Sequence, residues 1–261
     1  MATQASEMQC KDVIALDWDD TILPTTEVLR DPEANLTQRT EKYARDLLTT
    51  ALQLGTVYIV TASAPGWVRE SCETHLPSCL ALLKDIPVIS ARAFYEKHVP
   101  EDQRDTSLNV NLVWKSYTFA GLACHLAKLG RRPRSVLAVG DNPTDALAAR
   151  AVSKHLGEAW VKTVQFCPHP STQVLAKQQR LLTRKLPELL ASEHNLHVNM
   201  HRSAPRDAEE AEEEEEPAPP VEDEKASDTP EAAGDHGDST DEGESPESSD
   251  ESEEACSTTA A

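Results

Sequence analysis

The sequence predicts an α/β protein with a doubly wound parallel sheet, followed by an acidic tail that does not fold. Short, continuously apolar runs rich in Val, Ile and Leu alternate along the chain with longer segments of helical periodicity. Such runs are typical of strands buried on both faces of a parallel sheet. Several of them stop at Asp, Thr or Gly. The C-terminal segment differs, because it is rich in acidic residues and has almost no large aliphatic side chain.

The first predicted strand covers residues 13–16 and ends at a cluster of carboxylates, Asp17, Asp19 and Asp20. A buried strand delivers the residues that follow it to the carboxyl edge of the sheet, where open α/β folds bind their ligands. Carboxylates crowded together repel one another unless protons or a cation compensate them. A divalent metal that prefers oxygen ligands is the natural cation. The alternative is an ordinary acidic turn, because Asp is a common turn residue.

The remaining elements alternate between helix and strand, which predicts parallel pairing through right-handed crossovers. In chain order they are a helix over 36–54, a strand over 57–60, a helix over 67–84 interrupted at Pro77, a weak strand over 86–89, a helix over 112–129, a strand over 135–139, a helix over 146–155, a strand over 161–166 and one or two helices over 175–190. We interpret the polar segment 98–111 as a mobile loop. In this order, Thr61 is expected at the same sheet edge as Asp17.

Further polar residues reach this edge from the later elements. A hydroxyl such as that of Thr61, with the free N–H groups at the start of the next helix, suits a phosphate oxygen. Ser63 has a simpler interpretation as the N-cap of that helix. The fourth strand ends at Gly140, which permits close approach of the backbone, and at Asp141. Lys115 stands near the start of the preceding helix and is uninformative by itself.

Together these residues resemble the haloacid dehalogenase (HAD) superfamily of aspartate-dependent phosphotransferases, over roughly residues 12–166. The resemblance consists of four short motifs in order: Asp17, Asp19 and Thr21 match Asp-x-Asp-x-Thr after a strand, Thr61 matches a strand-terminal Thr or Ser, Lys115 matches a helix-start lysine, and Gly140, Asp141 and Asp145 match Gly-Asp-x-x-x-Asp. The first and fourth motifs are specific, whereas the second and third carry little information alone.

The resemblance implies a Rossmann-like fold and a magnesium-dependent phosphatase. In such an enzyme Asp17 would attack phosphorus to form an aspartyl phosphate, and Asp19 would act as general acid and then as general base. The other implied roles are metal binding by Asp17, by the backbone carbonyl of Asp19 and by Asp141, phosphoryl binding by Thr61 and Lys115, and support of the site by Thr21, Gly140 and Asp145.

The intervals between the motifs are short, so the resemblance implies a site with no cap domain or a minimal one. An open site suits a phosphoprotein or a substrate completed by a partner chain. A small phosphometabolite is the alternative, if the 98–111 loop closes over it. Trp18 is a bulky residue between two aspartates, which either crowds the site or lines a pocket. A second class of function is a non-catalytic scaffold. Because every motif position is occupied, we favour the enzyme.

Charge divides the chain of 261 residues at about residue 203. The formal net charge is −20, yet residues 207–261 hold 23 of the 45 Asp and Glu and only one of the 25 Lys and Arg. Such a segment cannot bury enough apolar surface to fold. We therefore predict an N-terminal extension over 1–11, a HAD-like domain over 12–202 and a disordered tail over 203–261. The tail either solubilises the protein or binds a basic partner.

Other classes of protein find little support in the sequence. No apolar stretch approaches the roughly 20 residues of a membrane span, and no targeting pattern or nucleic-acid motif is visible. We expect a soluble cytoplasmic protein, with the nucleus as the alternative. The six cysteines lack the spacing of a zinc site or a disulfide framework. His194, His197 and His201 are spaced to share one face of a helix, where a polar surface is a better interpretation than a metal site.

Overall fold

The structure, a computed structural model, describes residues 12–31, 38–106, 108–151, 153–155 and 158–201. The predicted extension over 1–11 and the predicted acidic tail over 203–261 lie outside the described residues. No helix in the described part of the chain is long and apolar enough to cross a membrane.

The described residues form a six-stranded sheet in which every pairing is parallel. Its strands are β1 (Asp12–Leu16), β2 (Gly55–Thr61), β3 (Val88–Ser90), β4 (Ser135–Gly140), β5 (Trp160–Gln165) and β6 (Leu196–Asn199). Their order across the sheet is β3-β2-β1-β4-β5-β6, which is a Rossmann-like order. The α/β class and the parallel sheet are therefore confirmed, and β6 is an addition that the apolar pattern did not predict.

Helices cover both faces of the sheet. They are α1 (Thr25–Arg30), α2 (Gln38–Leu54), α3 (Trp67–His75), α4 (Ala91–His98), α5 (Val110–Lys128), α6 (Pro143–Ala151) and α7 (Thr172–Ala191). Residues of α2, α3 and α7 belong to one hydrophobic cluster, and residues of α4, α5 and α6 belong to another. The sheet lies between these two clusters, which is the doubly wound arrangement that the sequence predicts.

The side chains of β1 show why this strand lacks a polar residue after its first position. Val13 and Ala15 point into the cluster with α5, while Ile14 and Leu16 point into the cluster with α2. Successive side chains of a strand face opposite sides of the sheet, so a strand with helices on both sides must be apolar throughout.

The register of the central strands sets where the site lies. Leu16 at the end of β1 is opposite Ile59 of β2 and Val139 of β4. The chain after β1 therefore leaves the sheet beside the end of β4, one residue before Asp141, and the backbone N–H of Asp17 donates to the carbonyl of Val139 at 2.9 Å. The chain order reverses between β1 and β4, and open α/β sheets bind ligands at such a point.

The middle of the chain departs from the predicted elements. The helix expected over 67–84 is α3 followed by two 3₁₀ turns, Pro77–Cys79 and Leu82–Lys84. Pro77 causes the break because proline has no N–H for the helical ladder. The segment expected to be a loop from residue 98 begins at the end of α4, contains a 3₁₀ turn at Glu101–Gln103 and ends at α5, and residue 107 lies outside the described residues.

The C-terminal part of the domain corrects the helix predicted for the three histidines. One helix, α7, continues through Pro187 and ends at Ala191. His197 instead lies in β6, opposite Thr163 of β5, and its Nδ1 lies 2.9 Å from the Thr163 hydroxyl. The three histidines therefore share no helix face, because pairing with the free edge of β5 draws this segment into an extended strand.

Candidate active site

The centre of the candidate site is Lys115, in the second turn of α5. Asn109 caps this helix by accepting a hydrogen bond from the N–H of Leu112. The Lys115 ammonium donates to Asp17 Oδ2 at 2.7 Å and to Asp145 Oδ1 at 2.7 Å, and all three side chains are buried. A lysine from one helix thus joins the carboxylate that follows β1 to a carboxylate on α6.

The site has more buried negative charge than Lys115 can compensate. Burial by itself would lower the pKa of Lys115, but the charges of Asp145 and Asp17 outweigh it and raise that pKa. Burial raises the pKa of Asp17 although Lys115 opposes the change. Burial, followed by the charges of Asp17 and Asp20, raises the pKa of Asp141 to about 7. One ammonium therefore faces a group of carboxyls that cannot all ionise easily.

These residues fit a divalent cation. Asp145 Oδ2 is buried and accepts no hydrogen bond from the described residues. Beyond burial itself, the charge of Asp17 raises the pKa of Asp141, and the charge of Asp19 raises the pKa of Asp17, which is the situation that a cation relieves. No three His, Cys, Asp or Glu side chains of the described residues converge as a metal site. The ligand set implied by the resemblance needs only two carboxylates, together with the main-chain carbonyl of Asp19.

The carboxylate of Asp19 is held by four hydrogen-bond donors. Its Oδ1 accepts from the Thr25 hydroxyl at 2.8 Å and from the Trp67 indole N–H at 2.7 Å. Its Oδ2 accepts from the Thr61 hydroxyl at 3.1 Å and from the Ser63 hydroxyl at 2.7 Å. Thr61, expected to bind a phosphoryl oxygen, therefore donates to Asp19 in this structure.

The segment from the end of β2 to the start of α3 places three of these donors, Thr61, Ser63 and Trp67. The helix begins at Trp67 after Gly66, which has φ +94° and makes no side-chain cap, so the interpretation of Ser63 as the N-cap is wrong. Ser63 is held instead by its own backbone. Its N–H donates to the Thr61 hydroxyl at 3.0 Å, and its carbonyl accepts from the Ser90 hydroxyl at 2.6 Å. The Ser63 hydroxyl is thereby turned toward the site.

Trp18 neither crowds the site nor lines a pocket. Its side chain is completely buried in the cluster with α2 and α3. The indole N–H donates to the Ser71 hydroxyl at 3.0 Å. Because successive residues of an extended segment point in opposite directions, Trp18 enters the core while Asp17 and Asp19 face the sheet edge. The backbone N–H of Trp18 also donates to Asp17 Oδ1 at 2.9 Å.

Asp20 and His169 form a second polar contact above the sheet edge. Asp20 has φ +54°, and its carboxylate accepts from the Thr26 backbone N–H at 2.9 Å and from the Thr26 hydroxyl at 2.5 Å. His169, with φ +50°, places Nδ1 3.5 Å from Asp20 Oδ2. The sequence offered no role for His169, because only folding brings the loop after β5 next to the loop after β1.

The supporting residues act through packing and through the backbone. A Cβ on Gly140 would lie 2.4 Å from Asp145 Oδ2, which explains the glycine in this motif. The Thr21 hydroxyl is buried and has no hydrogen-bond partner among the described residues. The Thr21 carbonyl accepts from the Gln179 side-chain amide at 2.9 Å, which ties the acidic turn to α7.

The structure gathers the predicted site residues at one edge of the sheet and adds others. The added residues are Thr25, Ser63, Trp67 and His169. Of these, only Ser63 lies next to a predicted motif, while the others come from helices and loops without a recognisable pattern. Comparisons with protein-family models, with curated proteins and with solved structures found no match.

Proposed function

We propose that this chain is a HAD-like phosphatase that hydrolyses a phosphate monoester through an aspartyl phosphate on Asp17. The observation that carries the proposal is the buried bridge in which Lys115 contacts Asp17 and Asp145 at 2.7 Å each, beside Asp141. A structural ion pair needs one carboxylate, whereas this site surrounds one lysine with several carboxyls whose pKa values are raised. Perturbed groups of this kind concentrate at functional sites.

In the first step a carboxylate oxygen of Asp17 forms a bond to phosphorus as the bond to the leaving oxygen breaks. Asp19 gives a proton to that leaving oxygen. Lys115 holds the nucleophilic carboxylate at Oδ2 and supplies positive charge next to the phosphoryl oxygens. The Trp18 N–H holds the other oxygen of Asp17, so the carboxylate has a defined orientation.

In the second step water attacks the phosphorus of the aspartyl phosphate. Asp19 takes a proton from the water, the bond between phosphorus and Asp17 breaks, and inorganic phosphate leaves. Both carboxylates return to their starting protonation states. Asp145 keeps Lys115 in place throughout, since it accepts from the same ammonium at 2.7 Å.

Mg²⁺ fits the donors at this edge, and Asp17, the main-chain carbonyl of Asp19 and Asp141 would hold it. When bound, the cation supplies charge that lets an anionic nucleophile approach an anionic phosphoryl group. Asp141 contributes a carboxylate that its burial and its acidic neighbours make easy to protonate, so a bound cation and a proton compete for it.

We propose an open site that accepts a phosphoprotein or a substrate completed by a partner. The described residues between β2 and α5 add β3 to the central sheet, which supports a site without a separate cap. A groove of about 660 Å³ lies between α3 and α4 and reaches Thr61. Its charged lining residues are Arg69, Lys84 and Lys97, which favours a substrate with negative charge beyond the phosphate.

The test is hydrolysis of 4-nitrophenyl phosphate by the full chain with Mg²⁺, with EDTA, and in an Asp17→Asn variant. Asp46→Asn is the matched control, because Asp46 is a partly exposed residue of α2 that pairs only weakly with Lys42 at 3.9 Å. We expect Mg²⁺-dependent turnover in the wild type and in Asp46→Asn, and none with EDTA or in Asp17→Asn.

Equal inertness of the wild type and Asp17→Asn, with no binding of Mg²⁺ or beryllofluoride, would reject the phosphatase. A non-catalytic scaffold would then be the better proposal, and the search would turn to basic proteins that bind the acidic tail. Metal-independent turnover that survives Asp17→Asn would reject the mechanism while leaving a hydrolase.

A further inference from the structure

We propose that the carboxylate of Asp19 occupies part of the phosphoryl-binding site as an internal anion, and that Trp67 and Thr25 hold it there until a phosphoryl group displaces it. The inference rests on the proposed phosphatase function. It assigns Trp67 and Thr25 as positioning residues and Ser63 as a phosphoryl-binding residue.

The four hydrogen bonds to Asp19 divide by oxygen atom. Oδ1 accepts only from the holding pair, Thr25 at 2.8 Å and Trp67 at 2.7 Å. Oδ2 accepts only from the strand-end pair, Thr61 at 3.1 Å and Ser63 at 2.7 Å. The two pairs come from different parts of the fold, since Thr25 starts α1, Trp67 starts α3, and the strand-end pair follows β2.

The strand-end pair cannot serve Asp19 and a phosphoryl group together. A serine or threonine hydroxyl has one proton to donate. The Thr61 hydroxyl already accepts the Ser63 N–H at 3.0 Å, so its single proton is its remaining donor and it points at Asp19. A phosphoryl oxygen that recruits Thr61 and Ser63 must take both protons from Oδ2. Phosphoryl binding and the observed position of Asp19 are therefore competitive.

This competition couples binding to the movement of the general acid. Once Oδ2 loses its two donors, only Thr25 and Trp67 retain Asp19, through the other oxygen. Oδ2 is then free to take up a proton from solvent and to turn toward the leaving oxygen, to which it gives that proton, while Oδ1 keeps its two donors. Without a ligand both oxygens of this carboxylate are occupied by donors, so neither is placed to receive a proton or to pass one to a substrate.

The Trp67 indole is placed rigidly enough for this role. The residue is the first of α3, directly after Gly66 at φ +94°, and its ring packs against the cluster that includes α2 and α3. A Phe at this position retains the ring packing and loses the N–H donor. A Val at position 25 likewise retains the shape of the side chain and loses the hydroxyl.

The test is the affinity of the full chain for inorganic phosphate, measured by isothermal titration calorimetry with Mg²⁺. Trp67→Phe and Thr25→Val should each bind phosphate more tightly, by about tenfold or about 1.4 kcal/mol, because the internal competitor is held less firmly. Ser63→Ala should not share this gain, because its hydroxyl donates to Asp19 in the free protein and to phosphate in the complex, so that both anions lose a donor. Trp160→Phe, at the start of β5 on the opposite edge of the sheet, should match the wild type.

Tighter binding in the two holding variants, without it in Ser63→Ala, separates this inference from a merely structural role. Weaker phosphate binding in Trp67→Phe and in Thr25→Val, or no change in either, would overturn it while the phosphatase stands. A wild-type chain that binds no phosphate and hydrolyses no aryl phosphate would overturn both. In turnover, both holding variants should show a lower KM for 4-nitrophenyl phosphate, whereas Ser63→Ala should show no such decrease.

Discussion

Asp145 packs so closely on Gly140 that a methyl group on Gly140 would lie 2.4 Å from Asp145 Oδ2. The glycine at the end of β4 therefore makes room for a carboxylate of α6, and that carboxylate in turn holds Lys115 at 2.7 Å. The spacing of Gly140 and Asp145 in the sequence is thus a packing requirement of the site.

Gly140→Ala should disturb the site through Asp145. The added methyl group must push the carboxylate away from Lys115, which we expect to lower stability by about 1–3 kcal/mol. Aryl phosphate turnover should fall by more than about tenfold, since Asp145 positions Lys115 and a small misplacement near the reacting centre is expensive. Thermal unfolding and the aryl phosphate assay measure the two effects.

Gly130→Ala is the control for adding a methyl group to a glycine. Gly130 has φ +67° and nothing within 4 Å of a Cβ, so this variant should lose about 1–2 kcal/mol from backbone strain and keep its activity. Full activity in Gly140→Ala would show that Asp145 adjusts without consequence and would contradict the packing argument.

Lys115→Met should destabilise the protein in a pH-dependent way. Removing the ammonium leaves Asp17 and Asp145 buried and unpaired, which we expect to lower the free energy of unfolding by about 3–5 kcal/mol at neutral pH. The loss should be smaller near pH 5, because burial raises the pKa of both carboxyls and protons then replace the missing cation.

Urea unfolding of the wild type and Lys115→Met at two pH values measures this difference. Lys42→Met is the control, because Lys42 is exposed and its pair with Asp46 spans 3.9 Å, so its loss should change stability by less than about 1 kcal/mol. A loss that does not depend on pH would show that the two carboxyls are not the groups responsible.

Asp141 should make the metal-free protein less stable as the pH rises. Its pKa is about 7 in the folded protein against an ordinary 3.8. Between these two pKa values the folded protein keeps a proton that the unfolded chain has lost. The stabilisation of the folded protein by this proton is complete below the lower pKa and is lost as the pH rises through the upper one. The slope from this group is at most about 1.4 kcal/mol per pH unit.

Thermal unfolding in EDTA at several pH values between these limits, for the wild type and Asp141→Asn, measures that slope. The variant should show a flatter dependence, because the titrating carboxyl is gone. In the wild type, Mg²⁺ should bind more tightly as the pH rises toward neutrality, since the cation must displace the proton. A wild type and variant with the same slope would refute the role given to Asp141.

Trp18→Phe should lower stability while leaving activity nearly unchanged. The indole is fully buried and bonded to Ser71, so its replacement leaves a small cavity and should reduce stability by about 1–3 kcal/mol. Aryl phosphate turnover at 25 °C should stay close to the wild type, whereas Asp19→Asn should lose about 10²–10⁴-fold. A large loss of activity in folded Trp18→Phe would show that Trp18 contributes to the site and would contradict its assignment to the core.

Much of the architecture was predictable because burial on both faces leaves a strong pattern. The apolar runs of β1, β2 and β4 could be recognised in the sequence. The polar residue that follows each run could then be assigned to the carboxyl edge of the sheet. Edge elements were harder to predict. β6 is only four residues long, Leu196–Asn199, so its alternation of apolar and polar side chains is too short to distinguish a strand from the end of a surface helix. Its pairing with β5 depends on a contact between distant parts of the chain.

The candidate site was only partly predictable for the same reason. The positions of Asp17 and Asp141 follow from strand ends, and strand ends can be found in a sequence. The partners of Asp19 cannot, because Trp67 is 48 residues away along the chain and reaches Asp19 only through the fold of α3. Trp18 is the opposite case, a residue that the sequence places next to the site and the structure places elsewhere. It lies between two aspartates in the sequence, but successive side chains point in opposite directions and its own enters the core.

The sequence by itself determined the central strands with the crossover helices between them, the parallel sheet and the acidic residues at its carboxyl edge, because local apolar periodicity and strand ends are encoded in neighbouring residues. The tertiary structure alone decided which hydrogen bonds those acids make. Lys115 could have paired with one carboxylate, and packing of α5 against α6 gave it two. Asp19 could have faced open solvent, and the meeting of α1, α3 and the end of β2 surrounds it with four donors.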